Sequence, residues 1–483
     1  MPQNRREFLE NSLSVGAALA CAGGLKAVQA QETAPKKTGD KINVCVVGVN
    51  GRGGEHIRGF SNNPDSIVYA IVDVDQRVGE SKAALIEKEY KHRPKVYTDL
   101  REAYADKNVD VVSVATPNHW HALAAIWAIQ AGKDVYVEKP VSHNVVEGRR
   151  LVEAARKYNK IVQCGTQSRS NPGLKEAIKY IHDGQLGEVK LARGLCYKPR
   201  NSIGPRSNYE PPSTVNLDLW TGPAPLAPLT RKNFHYDWHW QWPYGNGDLG
   251  NQGIHQMDIA RWALNENSIG DSVMSYGGRY GYEDAGDTAN TQVCFHTFGD
   301  KRLIFEVRGL KTDAYMGAKV GVIVYGSEGY MVIPSYSSAT VFSKDGKEIK
   351  QFKGGSDQNH YNNFIEAFKA RDMSKLNAEI LEGHLSSALC HVGNISYRLG
   401  SLESLSALET QLAKDPEGLE TTKRFAEHLK ANGVDLTGNK IQVGPLLKIL
   451  PNETFTGPRS EEANAMLSRE YRAPYLLPTT EQL

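Results

Sequence analysis

The chain has 483 residues, 40% of them hydrophobic and 23% charged, with 45 glycines, which places it among loop-rich globular proteins of two or three domains and not among disordered chains. It carries 57 Lys and Arg against 55 Asp and Glu, a formal charge of +2, so neither nucleic acid nor an anionic membrane surface is indicated as a partner. Five cysteines beyond residue 30, Cys45, Cys164, Cys196, Cys294 and Cys390, are odd in number and widely spaced. They are expected to be buried thiols and not a disulfide or metal framework, as suits folding in a reducing cytoplasm.

Residues 1–30 read as an export signal. Arg5 and Arg6 precede Phe8 and Leu9, an apolar small-residue run follows from Leu13 to Gly24, and Val28, Gln29 and Ala30 offer a small-x-small cleavage site. Paired arginines point to the twin-arginine route, which moves folded proteins, and so to the periplasm. A membrane-anchoring helix is the alternative, although the run is short for a bilayer; Cys21 leaves a lipid-anchored form as another. The mature chain is expected to start near Gln31 without a transmembrane segment, with residues 31–40 as a polar linker.

From there strands and helices alternate. The apolar run Ile42 to Val47 is a strand ending in the turn Gly48, Val49, Asn50, Gly51, Arg52, Gly53, Gly54, with a helix starting near Arg52. Strand, glycine turn and helix N-terminus together let backbone amides hold a pyrophosphate. Gly48 and Gly53 fill the first and third positions of a GxGxxG fingerprint, and Asn50 stands at the second, where it tolerates left-handed dihedrals better than most residues. A second strand, Ile67 to Val72, ends in Asp73, whose carboxylate suits the ribose hydroxyls of NAD and would repel the 2′-phosphate of NADP. Capping a helix that starts near Gln76 is its alternative role. A third strand, Val109 to Ala115, leads into Thr116, Pro117, Asn118, His119, Trp120 and His121, then a helix from Ala122 to Ala131. The two histidines have no third ligand nearby, so no zinc is expected. Asp134 to Val137 is a strand closed by Glu138, Lys139 and Pro140, followed by a helix Val145 to Tyr158 and a strand Ile161 to Cys164. This alternation predicts a doubly wound parallel sheet. Lys139 then lies at the carboxyl edge, where such sheets keep their ligands, and a partly desolvated amine there can exchange a proton with a hydroxyl.

In this order and spacing, the glycine turn, Asp73, the loop Thr116 to His121 and Glu138-Lys139-Pro140 resemble the glucose-fructose oxidoreductase and inositol dehydrogenase family, Gfo/Idh/MocA, over roughly residues 41–400. The resemblance implies that Lys139 lies beside the nicotinamide and serves catalysis. It also implies that Thr116, Pro117, Asn118, His121 and Glu138 line the cofactor site, with Arg52 at the glycine turn, and that Gln167 touches cofactor or substrate.

After Arg169 the pattern changes to an α+β domain with a large, mostly antiparallel, open-faced sheet, drawn from apolar runs between Val189 and Phe342. The aromatic segment Phe234 to Trp242 is either a sugar platform or core packing. Asn251, His255 and Asp258 follow at i, i+4 and i+7, one helical face if the helix starts that early. By resemblance this face binds substrate opposite Lys139, with Trp120 joining it and His255 sharing the proton work. Asn251 stands where many members have Asp, which would shift acid/base duty to Lys139 and His255. The free sheet face implies a homodimer or homotetramer, and the end of the chain near Tyr471 is expected to clamp onto a neighbour. The domains divide at 41–165, 166–400 and a C-terminal extension 401–483. The expectation is an exported NAD oxidoreductase of a sugar, glycoside or polyol with retained cofactor; the alternatives are a glycoside-cleaving NAD enzyme and a non-catalytic binding protein.

Overall fold

A computed structural model describes residues 40–483; the export signal and the linker read from residues 1–39 lie outside the described residues. Six strands form the first sheet: β1 (Ile42–Val47), β2 (Ser66–Val72), β3 (Lys95–Tyr97), β4 (Val111–Val114), β5 (Asp134–Val137) and β6 (Val162–Cys164), all parallel in the order 3-2-1-4-5-6. Their unbroken apolar runs follow from helices on both faces. These are α1 (Gly53–Ser61), α2 (Gln76–Tyr90), α3 (Leu100–Ala105), α4 (Asn118–Gln130) and α5 (Val145–Lys157). Asp75 caps α2 by accepting from the amides of Arg77 and Val78, and Asn144 caps α5 through the amide of Glu147. Helix α4 begins at Asn118, four residues before the expected start, so Asn118, Trp120 and His121 sit on its first turn.

The second unit is built around a 12-stranded sheet. Helices α6 (Pro172–His182), α7 (Gly253–Leu264) and α9 (Ile380–Arg398), introduced with α8 (Gln358–Ala370), cover its inner face. The central strands β7 (Val189–Tyr197), β8 (Ser272–Gly278), β9 (Thr291–Phe298) and β10 (Lys301–Arg308) alternate strictly: Cys196, Val273, Cys294 and Phe305 face inward, and Leu195, Tyr276, Phe295 and Ile304 outward. All pairings are antiparallel except β7 with β10.

Three features differ from expectation. The outer face is not free throughout: α10 (Pro416–Ala431) lies on it, with Phe425 5.3 Å from the ring of Tyr276, and the loop carrying Tyr315 and Ala318 covers Leu195 and Ile323. The extension past residue 400 also adds short strands, Ser401–Glu403, Ile441–Val443 and Leu447–Ile449, to the same sheet. Second, α8 returns to the parallel sheet, where Tyr361 stacks on Tyr136 at 5.2 Å and Phe364 joins Val44 and Phe60. Third, the chain end clamps onto its own first domain: the Tyr475 ring lies 5.5 Å from Trp120, and its hydroxyl donates to Asp218 at 2.6 Å. Ala378, Ile380, Tyr475 and Leu483 thus join the core of the parallel sheet. The five cysteines are buried and free.

Candidate active site

The carboxyl ends of β1, β2, β4 and β5 open onto a cleft of about 280 Å³. The segment from Leu219 to His239, part of the long connection after β7, forms its opposite wall. The glycine turn is the floor at one end. Gly48 has φ +81°, and a Cβ there would lie 2.8 Å from the carbonyl oxygen of Ala115, so no other residue fits without displacing β4. A Cβ on Gly53 would lie 2.0 Å from the oxygen of Gly48, which ties close packing of α1 to the turn; Gly53 supports the turn from behind and does not line the cleft. Asn50, Gly51 and Arg52 do line it.

Asp73 holds the turn in shape. Its two oxygens accept from the amides of Val49 and Asp75, each at 2.9 Å. Burial pushes its carboxyl up, and those two amides pull it back. Each oxygen keeps a lone pair for a further donor, and Asp73 lines the cleft. The capping role foreseen as its alternative belongs to Asp75. Two polar groups along the same wall are buried with no hydrogen-bond partner among the described residues: the Thr116 hydroxyl and one terminal nitrogen of Arg52, which has only the Asp357 carboxylate at 3.6 Å. Orphaned donors facing a cleft with a glycine cradle fit a polar, phosphate-bearing dinucleotide.

Lys139 stands at the other end. It is half-buried, and its ammonium donates to the backbone oxygen of Asn251 at 3.0 Å. Burial lowers its pKa, opposed chiefly by the carboxylate of Glu138. Glu138 lies beneath, 3% exposed: Arg52 Nε donates to it at 2.8 Å, His56 Nε2 lies 3.0 Å away, and the amide of Lys139 donates to its second oxygen at 3.1 Å. Burial pushes this carboxyl up, but the Arg52 charge and the His56 hydrogen bond hold it well below the usual range. The ring of His121 spans two loops, with Nδ1 2.6 Å from the Pro140 oxygen and Nε2 2.6 Å from the Thr116 oxygen. It fixes the turn after β5 against the turn after β4.

Thirteen expected residues line this one cleft: Gly48, Asn50, Gly51, Arg52, Asp73, Thr116, Pro117, Asn118, Trp120, His121, Glu138, Lys139 and Asn251. Others are placed differently. Asn251 ends a short turn of helix, Gly247–Gly250, and α7 starts at Gly253, so Asn251, His255 and Asp258 do not share one helical face. Asn251 meets Lys139 through its backbone oxygen, a contact that any residue at this position would supply. Asp258 is no substrate ligand: it is 1% exposed, accepts two 2.9 Å bonds from Arg169 Nε and one from Ser386 at 2.7 Å. Removing that arginine's partner would strand a buried charge, reason enough for the pair. Gln167 is turned to Glu138 at 3.4 Å and lies off the cleft wall. Trp120 reaches the cleft, yet its indole nitrogen donates to the oxygens of Leu219 and Trp220, so it also anchors the opposite wall. His255 is half-buried beside Tyr336, their rings 5.0 Å apart, outside the cleft proper.

Sequence reasoning missed Trp220 as a cleft residue and singled out His235, Tyr236, Trp238 and His239 only as part of an aromatic segment with two possible roles. The aromatic density of 234–242 was the available signal. The packing role is present, with Phe234 and Trp238 in a buried cluster with Trp220, while Tyr236, 45% exposed, lines the cleft.

Two family models match the chain, "Oxidoreductase family, NAD-binding Rossmann fold" over residues 42–166 and "Oxidoreductase family, C-terminal alpha/beta domain" over residues 205–426, together most of its length. A glycosyl hydrolase family 109 protein of a Shewanella species is 30% identical over 204 residues, 38% of this chain and 44% of that protein. An inositol 2-dehydrogenase of Salmonella typhimurium is 31% identical over 228 residues, 47% of this chain and 55% of that enzyme. The chain thus aligns with about half the length of these relatives. A solved levoglucosan dehydrogenase, in complex with NADH and levoglucosan, shares the fold at TM-score 0.57 and 19% identity, covering 73% of this chain and 95% of that one.

Proposed function

This chain belongs to the Gfo/Idh/MocA oxidoreductase family and carries its NAD-binding Rossmann domain, and from that premise we propose that it is an NAD-dependent oxidoreductase of a sugar or polyol hydroxyl. One observation carries the reading: an amine of lowered basicity, Lys139, opens into the same cleft as the glycine turn and Asp73. Gly48, Asp73, Arg52 and Thr116 would hold the dinucleotide, with the Asp73 carboxylate disfavouring a 2′-phosphate. When bound, NAD supplies the hydride acceptor. The chain's own part is proton handling and orientation. Neutral Lys139 accepts the hydroxyl proton, the Asn251 carbonyl holds its amine in place, the Glu138 charge favours its protonated form, and His255, nearby and of lowered basicity, offers a second polar contact for a sugar. An inositol dehydrogenase among the relatives and a levoglucosan dehydrogenase among the folds support the substrate class.

The 30% identity to a family 109 glycosyl hydrolase favours a second reading, glycoside cleavage without net redox change. Arg5, Arg6 and the short apolar run support export; since free NAD is scarce outside the cytoplasm, an exported enzyme would be loaded before export and recycle its cofactor in place. A homo-oligomer would use the part of the outer sheet face that α10 leaves uncovered, where Tyr325, Tyr330 and Phe342 are half-buried.

Denaturing the purified protein and assaying the released nucleotide tests the cofactor. Absence of NAD together with no binding of added NAD would sink both enzyme readings. With NAD present, absorbance of reduced nicotinamide recorded alongside aglycone release from glycosides separates oxidation from cleavage. Lys139→Ala should keep the nucleotide and lose turnover by about a hundredfold or more; unchanged turnover removes Lys139 from the mechanism.

A further inference from the structure

Beyond Lys139 the charges do not balance. Arg52 is paired with Glu138 at 2.8 Å, and Arg200 holds both oxygens of Asp248, at 2.7 and 2.8 Å. Asp357, 57% exposed, lies 3.6 Å from Arg52. Two amines have no carboxylate within ion-pair distance among the described residues: Lys139, whose partner is a backbone oxygen, and Lys198, whose Nζ donates to the neutral side-chain oxygen of Gln252 at 2.8 Å.

The position of Lys198 is unfavourable on its own. It follows the last residue of β7 and bonds the residue just before the first turn of α7, so a half-buried ammonium sits at the positive end of a helix dipole, where a cation is repelled. Burial is the main cause of the lowered basicity of both Lys139 and His255, and the Lys198 charge adds to it in each, so the three groups share one electrostatic neighbourhood. The Gln252 amide in turn donates to the Tyr336 hydroxyl, and Tyr336 is 38% exposed beside His255. The result is a half-exposed, aromatic-sided corner at the margin of the cleft, joined to Lys139 through the adjacent residues Asn251 and Gln252, with a surplus of positive charge at Lys198. A neutral sugar would leave that surplus uncompensated; an anionic group would neutralise it with charge-assisted hydrogen bonds.

We infer that the substrate is an anionic sugar, bearing a carboxylate or a phosphate, and that Lys198 is the residue that selects for its charge. The inference rests on the sugar oxidoreductase reading above. Its test is a binding comparison on the nucleotide-loaded protein, titrated at low salt with D-glucuronate, D-glucose phosphate and D-glucose, with intrinsic fluorescence reporting binding and reduced-nicotinamide absorbance reporting turnover. One of the two anions is expected to bind about tenfold tighter than glucose, and which one tells carboxylate from phosphate. That ratio should collapse in Lys198→Met and survive in Lys198→Arg. Gln252→Glu, which gives Lys198 a counter-ion in place, should lower it too and keeps the test alive if Lys198→Met does not fold. Glucose binding as tightly as both anions, no binding of either anion, or a ratio unchanged in Lys198→Met and Gln252→Glu overturns the inference even where turnover is seen. Absorbance that stays flat with every sugar while the charge preference holds overturns the oxidoreductase reading instead.

Discussion

Lys139 and Glu138 are neighbours in the chain with opposite effects on one proton. Burial makes the amine less basic, and the Glu138 carboxylate directly beneath restores part of its basicity. In the oxidation direction the neutral amine is the active form, so kcat/KM should rise with pH and level off below the ordinary lysine value of about 10.4. Glu138→Gln removes the group that favours the protonated amine, so the rise should move to lower pH; a profile that stays put or moves up would show that another base is being titrated. Lys139 was legible in the sequence because a strand end before proline in a βα alternation fixes where its side chain emerges. Asp258 was misread because its partner Arg169 lies 89 residues away, and nothing in the local pattern distinguishes a substrate carboxylate from one half of a buried ion pair. Lys198 was overlooked for the converse reason: its significance is the lack of a counter-charge, which only the assembled fold displays.

Helix α10 shows how an element can hide from periodicity. Asp415 caps it and Pro416 opens it, both ordinary start signals, but the face it buries is made of Gly418, Thr421, Thr422, Phe425, His428 and Leu429, too polar to give an apolar stripe. Its contact with the sheet is partly ionic. Glu306 on β10, 1% exposed, accepts 2.7 Å bonds from Arg193, Arg424 and the Tyr197 hydroxyl. Burial raises this carboxyl, yet the Arg424 hydrogen bonds and the two guanidinium charges prevail and hold it at about 2. A carboxyl depressed in the folded state stabilises above its unfolded value of about 4.3, and that contribution is lost as pH falls towards about 2. Denaturant midpoints measured across that window should fall more steeply for the natural chain than for Glu306→Gln. At neutral pH that variant should already be weaker by about 2 kcal/mol, because buried Arg193 and half-buried Arg424 lose their shared partner and keep only Glu420 as an ion-pair partner among the described residues. Phe425→Ala should cost about 3 kcal/mol by opening a cavity against Tyr276; a cost below 1 kcal/mol would mean that α10 rests on the sheet without packing into it.

At the scale of the whole molecule, the parallel sheet and the mixed sheet were both legible, since each declares itself through local alternation. How they close around the cleft was not, because the closing pieces are irregular and distant in sequence. The connection after β7 is fastened to the first domain beside the ribose end of the cleft. Asp75, fully buried, accepts from Thr214 at 2.7 Å and faces His235 at 3.0 Å, while the Gln76 amide donates to the Thr214 oxygen at 3.0 Å and the Asn216 amide to the Val74 oxygen at 2.8 Å. At the other side the chain end reaches back, with Tyr475 on Trp120 and Arg472 donating to the oxygen of Gly222 at 3.0 Å. On the proposed reading, a nucleotide behind this segment would leave only when the fastening opens, and retention would be a property of the closure as much as of the glycine turn. Thr214→Val removes one bond of the fastening, the one to the Asp75 oxygen that also caps α2, and leaves the residues of the cleft wall in place. Losing about 1 kcal/mol of closing energy should speed nucleotide release roughly fivefold, read as bound NAD remaining during timed dialysis. Release at the natural rate would place retention wholly in the contacts of Asp73, Arg52 and Thr116, and the long connection would then be a wall of the site and not its latch.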